Sequence, residues 1–185
     1  MNRPHEIEFR KPVVKDAELL SMLAEDTFRK AYDSEIHAGD LETYIHDNFY
    51  VARQLQEISD PKADILITFI QDQPVGYSMI RLNPLPACVD ANSAVELKRF
   101  YLLPEAKGTG VADSQMQATL ANAKQKNHKA IWLGCWENNA RAIAFYKRWK
   151  FIPVGHQNFL VGSDLQRDIV FLRKLSQRPP VKRVA

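Results

Sequence analysis

The chain has 185 residues, of which 45% are hydrophobic and 25% charged, with a formal net charge of +3. This balance is typical of one globular domain and excludes a disordered, collagen-like or coiled-coil chain. Two cysteines, Cys88 and Cys135, are too few for a disulfide framework, and no apolar run is long enough to span a membrane. The N-terminal residues lack the apolar core of a signal peptide, so we predict a cytoplasmic protein without a membrane partner.

Hydrophobic periodicity predicts a single α/β domain with a mixed sheet over residues 1–175. The predicted elements are a strand at 6–10, helices at 16–31, 41–49 and 51–58, strands at 65–70, 75–82 and 95–103, a helix at 111–126, a strand at 130–136, a helix at 139–149, and strands at 151–161 and 169–172. Asp40 is the predicted N-cap of the second helix. Residues 176–185 contain two prolines and three basic residues and are predicted to form a tail outside the domain.

Charge is distributed unevenly along this chain. Residues 16–60 hold eleven acidic side chains but only Arg29, Lys30 and Arg53 as basic ones, a net charge of −8, so the remainder carries +11. Such a division could serve a cationic ligand in one region and an anionic ligand in the other, or it could reflect acidic helix surfaces alone.

The most informative segment is 96–112, where a predicted strand leads into a glycine-rich turn at 107–110 and a helix begins at Val111. A helix N-terminus offers unpaired N–H groups and the positive end of the helix dipole, which suit a phosphate group. A P-loop does not fit, because no Lys-Ser or Lys-Thr follows Gly110. A dinucleotide fingerprint does not fit either, because Asp113 occupies the position of its third glycine.

The turn instead resembles the acyl-coenzyme A loop of the GNAT acetyltransferase superfamily, Q/R-x-x-G-x-G/A, matched here by Lys107, Gly110 and Ala112. Residues 139–146 are similar to the second signature of that superfamily, N-x-x-A-x-x-F-Y. The element order is also similar, so the resemblance covers residues 6–174. It implies one GNAT-like domain with a mixed, mostly antiparallel sheet of about seven strands, flanked by helices, whose central strands splay apart.

Within the superfamily, the chain looks most like the bacterial spermidine/spermine N-acetyltransferase branch. The similarity lies in the acidic helical region, in Gly76-Tyr77 and in residues 96–102. One departure occurs after Tyr146, where the family usually continues to Leu-Gly-Phe and this chain has Trp149-Lys150-Phe151. Lysine adopts a left-handed helix cap less readily than glycine, so the departure concerns the exit of this helix and not the fold.

The resemblance implies that a primary amine attacks the thioester carbonyl of acetyl-CoA directly. Main-chain atoms of the strand would pair with the pantetheine arm, and peptide N–H groups of the turn would contact the pyrophosphate. The strand positions are Phe100, Tyr101 and Leu102, and the turn positions are Lys107, Gly108, Thr109, Gly110, Val111 and Ala112. Asn139 would contact the cofactor through its side chain, or would simply cap its helix.

Tyr146 is the candidate general acid that protonates the departing thiolate, with packing in the core as the alternative. Glu96 is the candidate general base, acting through a water, with a solvated or salt-bridged strand carboxylate as the alternative. Carboxylates and aromatic rings near the first helices would recognise an extended cation such as a polyamine. The residues predicted to bind the acceptor are Phe28, Tyr32, Asp33 and Tyr44.

The sequence therefore predicts an acetyl-CoA-dependent N-acetyltransferase for a small-molecule amine, with a polyamine or diamine favoured, as a monomer or homodimer. Acetylation of a protein N-terminus, a lysine or an antibiotic amine is one alternative, and a non-catalytic acyl-CoA sensor is another. The five histidines lack the spacing of metal ligands, so no metal is predicted. The basic half lacks a recognised reading motif, so no nucleic-acid partner is predicted.

Overall fold

The computed structural model describes residues 6–33, 35–161 and 163–175, which leaves the predicted tail at 176–185 outside the described residues. The strands are β1 (Ile7–Arg10), β2 (Ala63–Ile70), β3 (Gln73–Arg81), β4 (Ala94–Leu102), β5 (Ala130–Trp136), β6 (Ile152–Val161) and β7 (Asp164–Lys174). The helices are α1 (Ala17–Tyr32), α2 (Ala38–Phe49), α3 (Val51–Ser59), α4 (Val111–Gln125) and α5 (Ala140–Arg148). None of these helices combines the length and the apolar composition that crossing a bilayer requires.

All seven strands form one sheet in the order β1-β2-β3-β4-β5-β7-β6. Five of the six neighbouring pairs are antiparallel, and only β4 and β5 run parallel. Helices cover both faces with apolar stripes at helical spacing: α1 contributes Leu20, Ala24 and Phe28 to one core cluster, and α4 contributes Met116 and Leu120 to another. The predicted single α/β domain with a mostly antiparallel sheet is therefore confirmed.

Strands β4 and β5 diverge after a short paired stretch. Ala94–Glu96 pairs with Ala130–Trp132, and beyond these residues the described parts of β4 and β5 do not pair with each other. Lys98 is an extra residue on β4 that the register of β3 skips. A bulge of this kind bends a strand and increases its twist. One backbone edge of residues 99–102 consequently faces a gap in the sheet, as the predicted splaying requires.

Two element boundaries differ from the sequence prediction. Helix α2 begins at Ala38, and its N-cap is His37, whose Nδ1 accepts a bond of 3.3 Å from the N–H of Gly39. The predicted cap Asp40 lies inside the helix, where its carboxylate accepts a 2.6 Å bond from the N–H of Ser163. Strand β7 begins at Asp164, five residues before the predicted Ile169. The prediction missed this first half because most of its residues are polar.

Helix α5 keeps the exit geometry of a glycine cap although lysine stands there. Lys150 has φ 63°, and its N–H donates to the carbonyl of Lys147 at 2.9 Å. The N–H of Phe151 donates to the carbonyl of Tyr146 at 3.0 Å, which completes a Schellman motif. The left-handed conformation costs a non-glycine residue about 1–2 kcal/mol, so the departure from the family pattern adds strain and does not change the path of the chain.

Candidate active site

A cavity of about 560 Å³ lies where β4 and β5 diverge. Its volume is typical of small-molecule sites, which span about 300–1,000 Å³. Its wall includes residues of α1 and α2, which cover one face of the sheet, and of α4 and α5, which cover the other. Residues of the edge strand β6 also line it. The predicted site residues that line it are Phe28, Tyr32, Tyr44, Glu96, Phe100, Tyr101, Leu102, Lys107, Gly108, Gly110, Ala112, Asn139 and Tyr146.

Three predicted site residues do not line this cavity. Asp33 follows the last residue of α1, is exposed and does not line the cavity. The hydroxyl of Thr109 donates to the carbonyl of Ala106 at 2.7 Å, and the side chain of Val111 is buried in an apolar cluster. The predicted role of Thr109 and Val111 therefore falls to their peptide N–H groups.

The turn before α4 has the conformation and the free space that an anionic ligand needs. Gly108 and Gly110 have φ values of 79° and 87°, in the left-handed region that favours glycine. A Cβ built on either glycine would meet nothing within 4 Å, so the turn opens onto free space. The first N–H groups of α4 have no partner within the helix and are available as donors.

Positive charge accompanies this turn. Lys107 and Arg141 both line the cavity, and burial together with the positive charge of Arg141 lowers the pKa of the Lys107 ammonium. Asp113, in the first turn of α4, would repel an anion, but it accepts bonds of 2.7 Å from both Arg148 and the indole N–H of Trp149. These bonds offset the carboxylate charge and tie the end of α5 to the start of α4.

Asn139 caps α5, because its Oδ1 accepts a bond of 3.0 Å from the N–H of Ala142. Asn139 therefore caps its helix and also lines the cavity. On the same helix, Tyr146 packs edge-on against Phe151 and lines the cavity. Burial raises the pKa of the Tyr146 phenol, so the hydroxyl keeps its proton at neutral pH and remains a proton donor.

Glu96 lies at the last paired position between β4 and β5 and is 7% exposed. Its Oε2 accepts a bond from the side-chain amide of Asn83, and its Oε1 lies 4.0 Å from the ammonium of Lys98. Glu96 is therefore a buried carboxylate on the cavity wall and not a solvated strand residue. Cys135 also lines the cavity, and burial with the nearby charge of Asp168 raises the pKa of its thiol to about 12. That thiol stays protonated, as expected of a core cysteine.

Asp168 is a second buried carboxylate in the cavity wall, and the sequence prediction missed it. It is 7% exposed, and burial, opposed by a hydrogen bond from Gln157, raises its pKa to about 6. A Cβ on Gly134 would lie 2.6 Å from Oδ2 of Asp168 and 2.6 Å from Nε2 of Gln157. Glycine at 134 thus provides the room that both side chains occupy.

One signal in the sequence could have pointed to Asp168. Gln166, Asp168, Val170 and Leu172 stand at every second position of β7, so they share one face of the strand. All four are buried, which places two polar side chains on a buried face. Buried polar residues are the informative exceptions in a core. The prediction that β7 begins at Ile169 hid this alternation.

Aromatic side chains form the part of the cavity wall that α1, α2 and β6 provide. The ring of Phe28 lies 4.7 Å from that of Tyr32 and 4.7 Å from that of Tyr44, and the Tyr44 ring lies 6.0 Å from that of Phe159. We call these four residues the aromatic wall. Such rings can bind a cation through their faces and an alkyl chain through dispersion.

The acidic residues of α1 and α2 do not reach the cavity. Among the described residues, those of the two helices that line it are Phe28, Ala31, Tyr32 and Tyr44. Two of these acidic side chains, Glu25 on α1 and Glu42 on α2, instead form ion pairs with Arg29 on the helix surface. The net charge of −8 over residues 16–60 is therefore largely a property of the surface, and the cavity takes its carboxylates from β4, α4 and β7.

Comparisons with known proteins agree with this geometry. Residues 22–151 match the model of the Acetyltransferase (GNAT) family. The chain is 31% identical over 160 residues to the uncharacterized N-acetyltransferase Mb2688 of Mycobacterium bovis, covering 86% of this chain and 98% of that protein. The spermine/spermidine N(1)-acetyltransferase of Bacillus subtilis is 31% identical over 86 residues, covering 46% of this chain and 57% of that enzyme.

Among solved structures, the fold is similar to that of the PaiA N-acetyltransferase from Thermoplasma acidophilum in complex with coenzyme A. The TM-score is 0.74 at 20% identity, covering 91% of this chain and 99% of that one. The splayed sheet and the glycine turn, together with the family match, are consistent with an acetyl-CoA-dependent N-acetyltransferase. The chain belongs to the Acetyltransferase (GNAT) family, since the family model and the mycobacterial relative both match most of its length. The Bacillus match covers less than half of the chain and does not establish the acceptor.

Proposed function

We propose that this acetyltransferase acts on a primary amine of a small diamine or polyamine. The observation that carries the proposal is the cavity between β4 and β5, which joins a cationic glycine turn to an aromatic wall with two buried carboxylates. One end suits the anionic part of acetyl-CoA, and the other suits a cationic acceptor with an alkyl chain.

The residues present fit acetyl-CoA in three respects. Gly108 and Gly110 leave open space at the start of α4, and Lys107 with Arg141 supplies positive charge for the phosphate groups. The unpaired edge of residues 99–102 offers backbone donors and acceptors to the amide groups of the pantetheine arm. The similar fold of the PaiA N-acetyltransferase, which was solved in complex with coenzyme A, supports the binding of acetyl-CoA by this chain.

The acceptor end combines apolar surface with negative charge. The aromatic wall would hold the methylene groups and a distal ammonium of the acceptor, and Glu96 with Asp168 would attract the ammonium that reacts. The partial similarity to the spermine/spermidine enzyme of Bacillus subtilis supports this class of acceptor.

The reaction removes two protons from the nitrogen and supplies one to the sulfur. An alkylamine is protonated at pH 7, so a buried carboxylate must accept a proton before the nitrogen attacks the thioester carbonyl. The C–N bond then forms, the nitrogen releases its second proton to solvent, the C–S bond breaks, and the sulfur leaves as a thiolate. The hydroxyl of Tyr146, which stays protonated, would donate a proton to that thiolate.

The acceptor class is tested by comparing kcat/KM for putrescine, spermidine, butylamine and a lysine peptide, measured as thiol release from acetyl-CoA. We expect putrescine or spermidine to exceed butylamine about tenfold, because a second ammonium at a desolvated aromatic surface contributes about 1–2 kcal/mol. Equal values for putrescine and butylamine would contradict the diamine proposal, and a preference for the peptide would favour a protein acceptor. Binding of acetyl-CoA without turnover of any amine would favour the non-catalytic sensor.

Replacing Tyr146 by phenylalanine is expected to lower kcat about 10- to 100-fold and to leave the KM for acetyl-CoA nearly unchanged. The loss falls at or below the lower end of general acid catalysis because a thiolate, with a thiol pKa of about 8.5, leaves readily without help. Steady-state kinetics of Tyr146→Phe beside Tyr50→Phe measures this, since Tyr50 is exposed and lies outside the cavity. Equal kcat values in the two variants would exclude Tyr146 as the acid.

A further inference from the structure

We propose that Asp168 is the general base of this acetyltransferase and takes the proton from the ammonium group of the acceptor. The inference rests on the proposed function, because it requires an amine acceptor in the cavity. The proton passes from nitrogen to a carboxylate oxygen of Asp168, and the nitrogen lone pair that remains attacks the thioester carbonyl.

The position of Asp168 places its carboxylate on the acceptor side of the cavity. It pairs with Trp136 across β5 and β7, beside the region where β4 has left β5. Asp168 also pairs with Gln157 across β7 and β6, two residues before Phe159 of the aromatic wall, so the side chains at 157, 159 and 168 lie on one face of the sheet. The carboxylate and the aromatic wall both line the cavity, where the acceptor would lie.

The orientation of Asp168 is constrained by its neighbours. The amide of Gln157 on β6 donates a hydrogen bond to the Asp168 carboxylate, and both groups lie over the backbone of Gly134. A side chain at 134 would meet them at 2.6 Å, so this contact exists only with glycine there. A general base needs such fixed placement, because proton transfer depends on hydrogen-bond geometry.

The surroundings of Asp168 raise the pKa of its carboxyl group, and the carboxylate forms no ion pair with a described residue. Among the described residues, no lysine, arginine or histidine nitrogen lies within 4.0 Å of its carboxylate. The groups that interact with it are Glu96 and Lys98 on β4, Cys135 on β5, Gln157 on β6, Tyr32 on α1 and Tyr44 on α2. Burial first, and then the negative charge of Glu96, raises its pKa to about 6, against the opposing effects of Gln157 and Lys98.

Glu96 is less suited to accept this proton. One of its oxygens already accepts a bond from Asn83, and the other faces the ammonium of Lys98 at 4.0 Å. We assign Glu96 to holding the positive charge of the acceptor, and Asp168 to the proton transfer. The two roles differ in their dependence on pH, which separates them experimentally.

The test is the pH profile of kcat/KM for wild type, Asp168→Asn and Glu96→Gln, between about pH 5.5 and about pH 9, with the best amine of the panel above. The wild-type value is expected to rise as Asp168 ionises and to level off above its pKa of about 6. Asp168→Asn is expected to lower kcat/KM about 100- to 1,000-fold at pH 7. This deficit relative to wild type should shrink about tenfold for each unit by which the pH rises, because the fraction of amine that is already deprotonated rises by the same factor and needs no base.

Glu96→Gln is expected to keep the inflection and to move it to lower pH, since the charge that opposes ionisation of Asp168 is removed. Gly134→Ala, which displaces the carboxylate, should show the same shrinking deficit as Asp168→Asn. Calorimetric titration with acetyl-CoA and the melting temperature serve as folding controls for all variants.

A deficit of Asp168→Asn that is equal at every pH would mean a structural role and would overturn the assignment. A shrinking deficit in Glu96→Gln alone would assign the base to Glu96 instead. If Asp168→Asn turns over the amine with the kcat/KM of wild type at every pH, this inference is overturned while the proposed function stands. Absence of turnover with every amine in wild type overturns the proposed function and this inference with it.

Discussion

Replacing Glu57 by glutamine is expected to lower the free energy of unfolding by about 3–5 kcal/mol, because it leaves the Arg99 guanidinium buried without a counter-charge. Both side chains are nearly inaccessible, at 5% exposure for Arg99 and 4% for Glu57. Their contact is bidentate, with Nη2 of Arg99 donating to Oε1 of Glu57 at 3.0 Å. The guanidinium also lies 4.9 Å from the ring centre of Phe49. Urea denaturation of Glu57→Gln beside wild type measures the loss.

The matched control is Glu42→Gln, which removes a carboxylate that also binds an arginine, Arg29, but at the surface. The Glu42 side chain is 60% exposed, and such surface pairs contribute about 0–1 kcal/mol. If both variants lose the same stability, the buried pair does not hold α3 against β4. Replacing Arg99 and Glu57 together by methionine and leucine should recover most of the loss, because no buried unpaired charge then remains; Arg53, which also contacts Glu57, is 35% exposed.

Filling the cavity from α5 is expected to abolish turnover. Ala142 lines the cavity, whereas Ala144, two residues along the same helix, is exposed and lies outside it. A tryptophan at 142 would occupy the space between β4 and β5, and a tryptophan at 144 would project into solvent. We therefore expect Ala142→Trp to lose acetyl-CoA binding, measured by calorimetry, and Ala144→Trp to bind as wild type does. Retained binding in Ala142→Trp would place the cofactor elsewhere.

Local sequence patterns were sufficient to predict the element order and many of the residues that line the cavity. The period of apolar residues separated strands from helices, and the glycine turn with the signature at 139–146 predicted residues that line one end of the cavity. These features are contiguous in the chain, so each can be recognised without knowing which strands pair. The splaying of the central strands also followed from the family resemblance.

Features that depend on packing between distant segments could not be predicted in the same way. Arg99 follows Lys98 in a charged stretch of the sequence, and nothing local shows that it is buried against Glu57 of α3. Asp168 enters the cavity only because β7 pairs with β5 and because Gly134 leaves it room. Asp33 was grouped with the acceptor residues by composition, but the end of α1 turns it away from the cavity.

The most direct measurement is amine-dependent release of thiol from acetyl-CoA by wild type, Ala142→Trp and Ala144→Trp, with putrescine and spermidine as acceptors. If acetyl transfer takes place in this cavity, wild type and Ala144→Trp release thiol only when an amine is present, and Ala142→Trp releases none. Release by Ala142→Trp at the wild-type rate, or its absence in wild type with every amine offered, would contradict acetyl transfer in the cavity between β4 and β5.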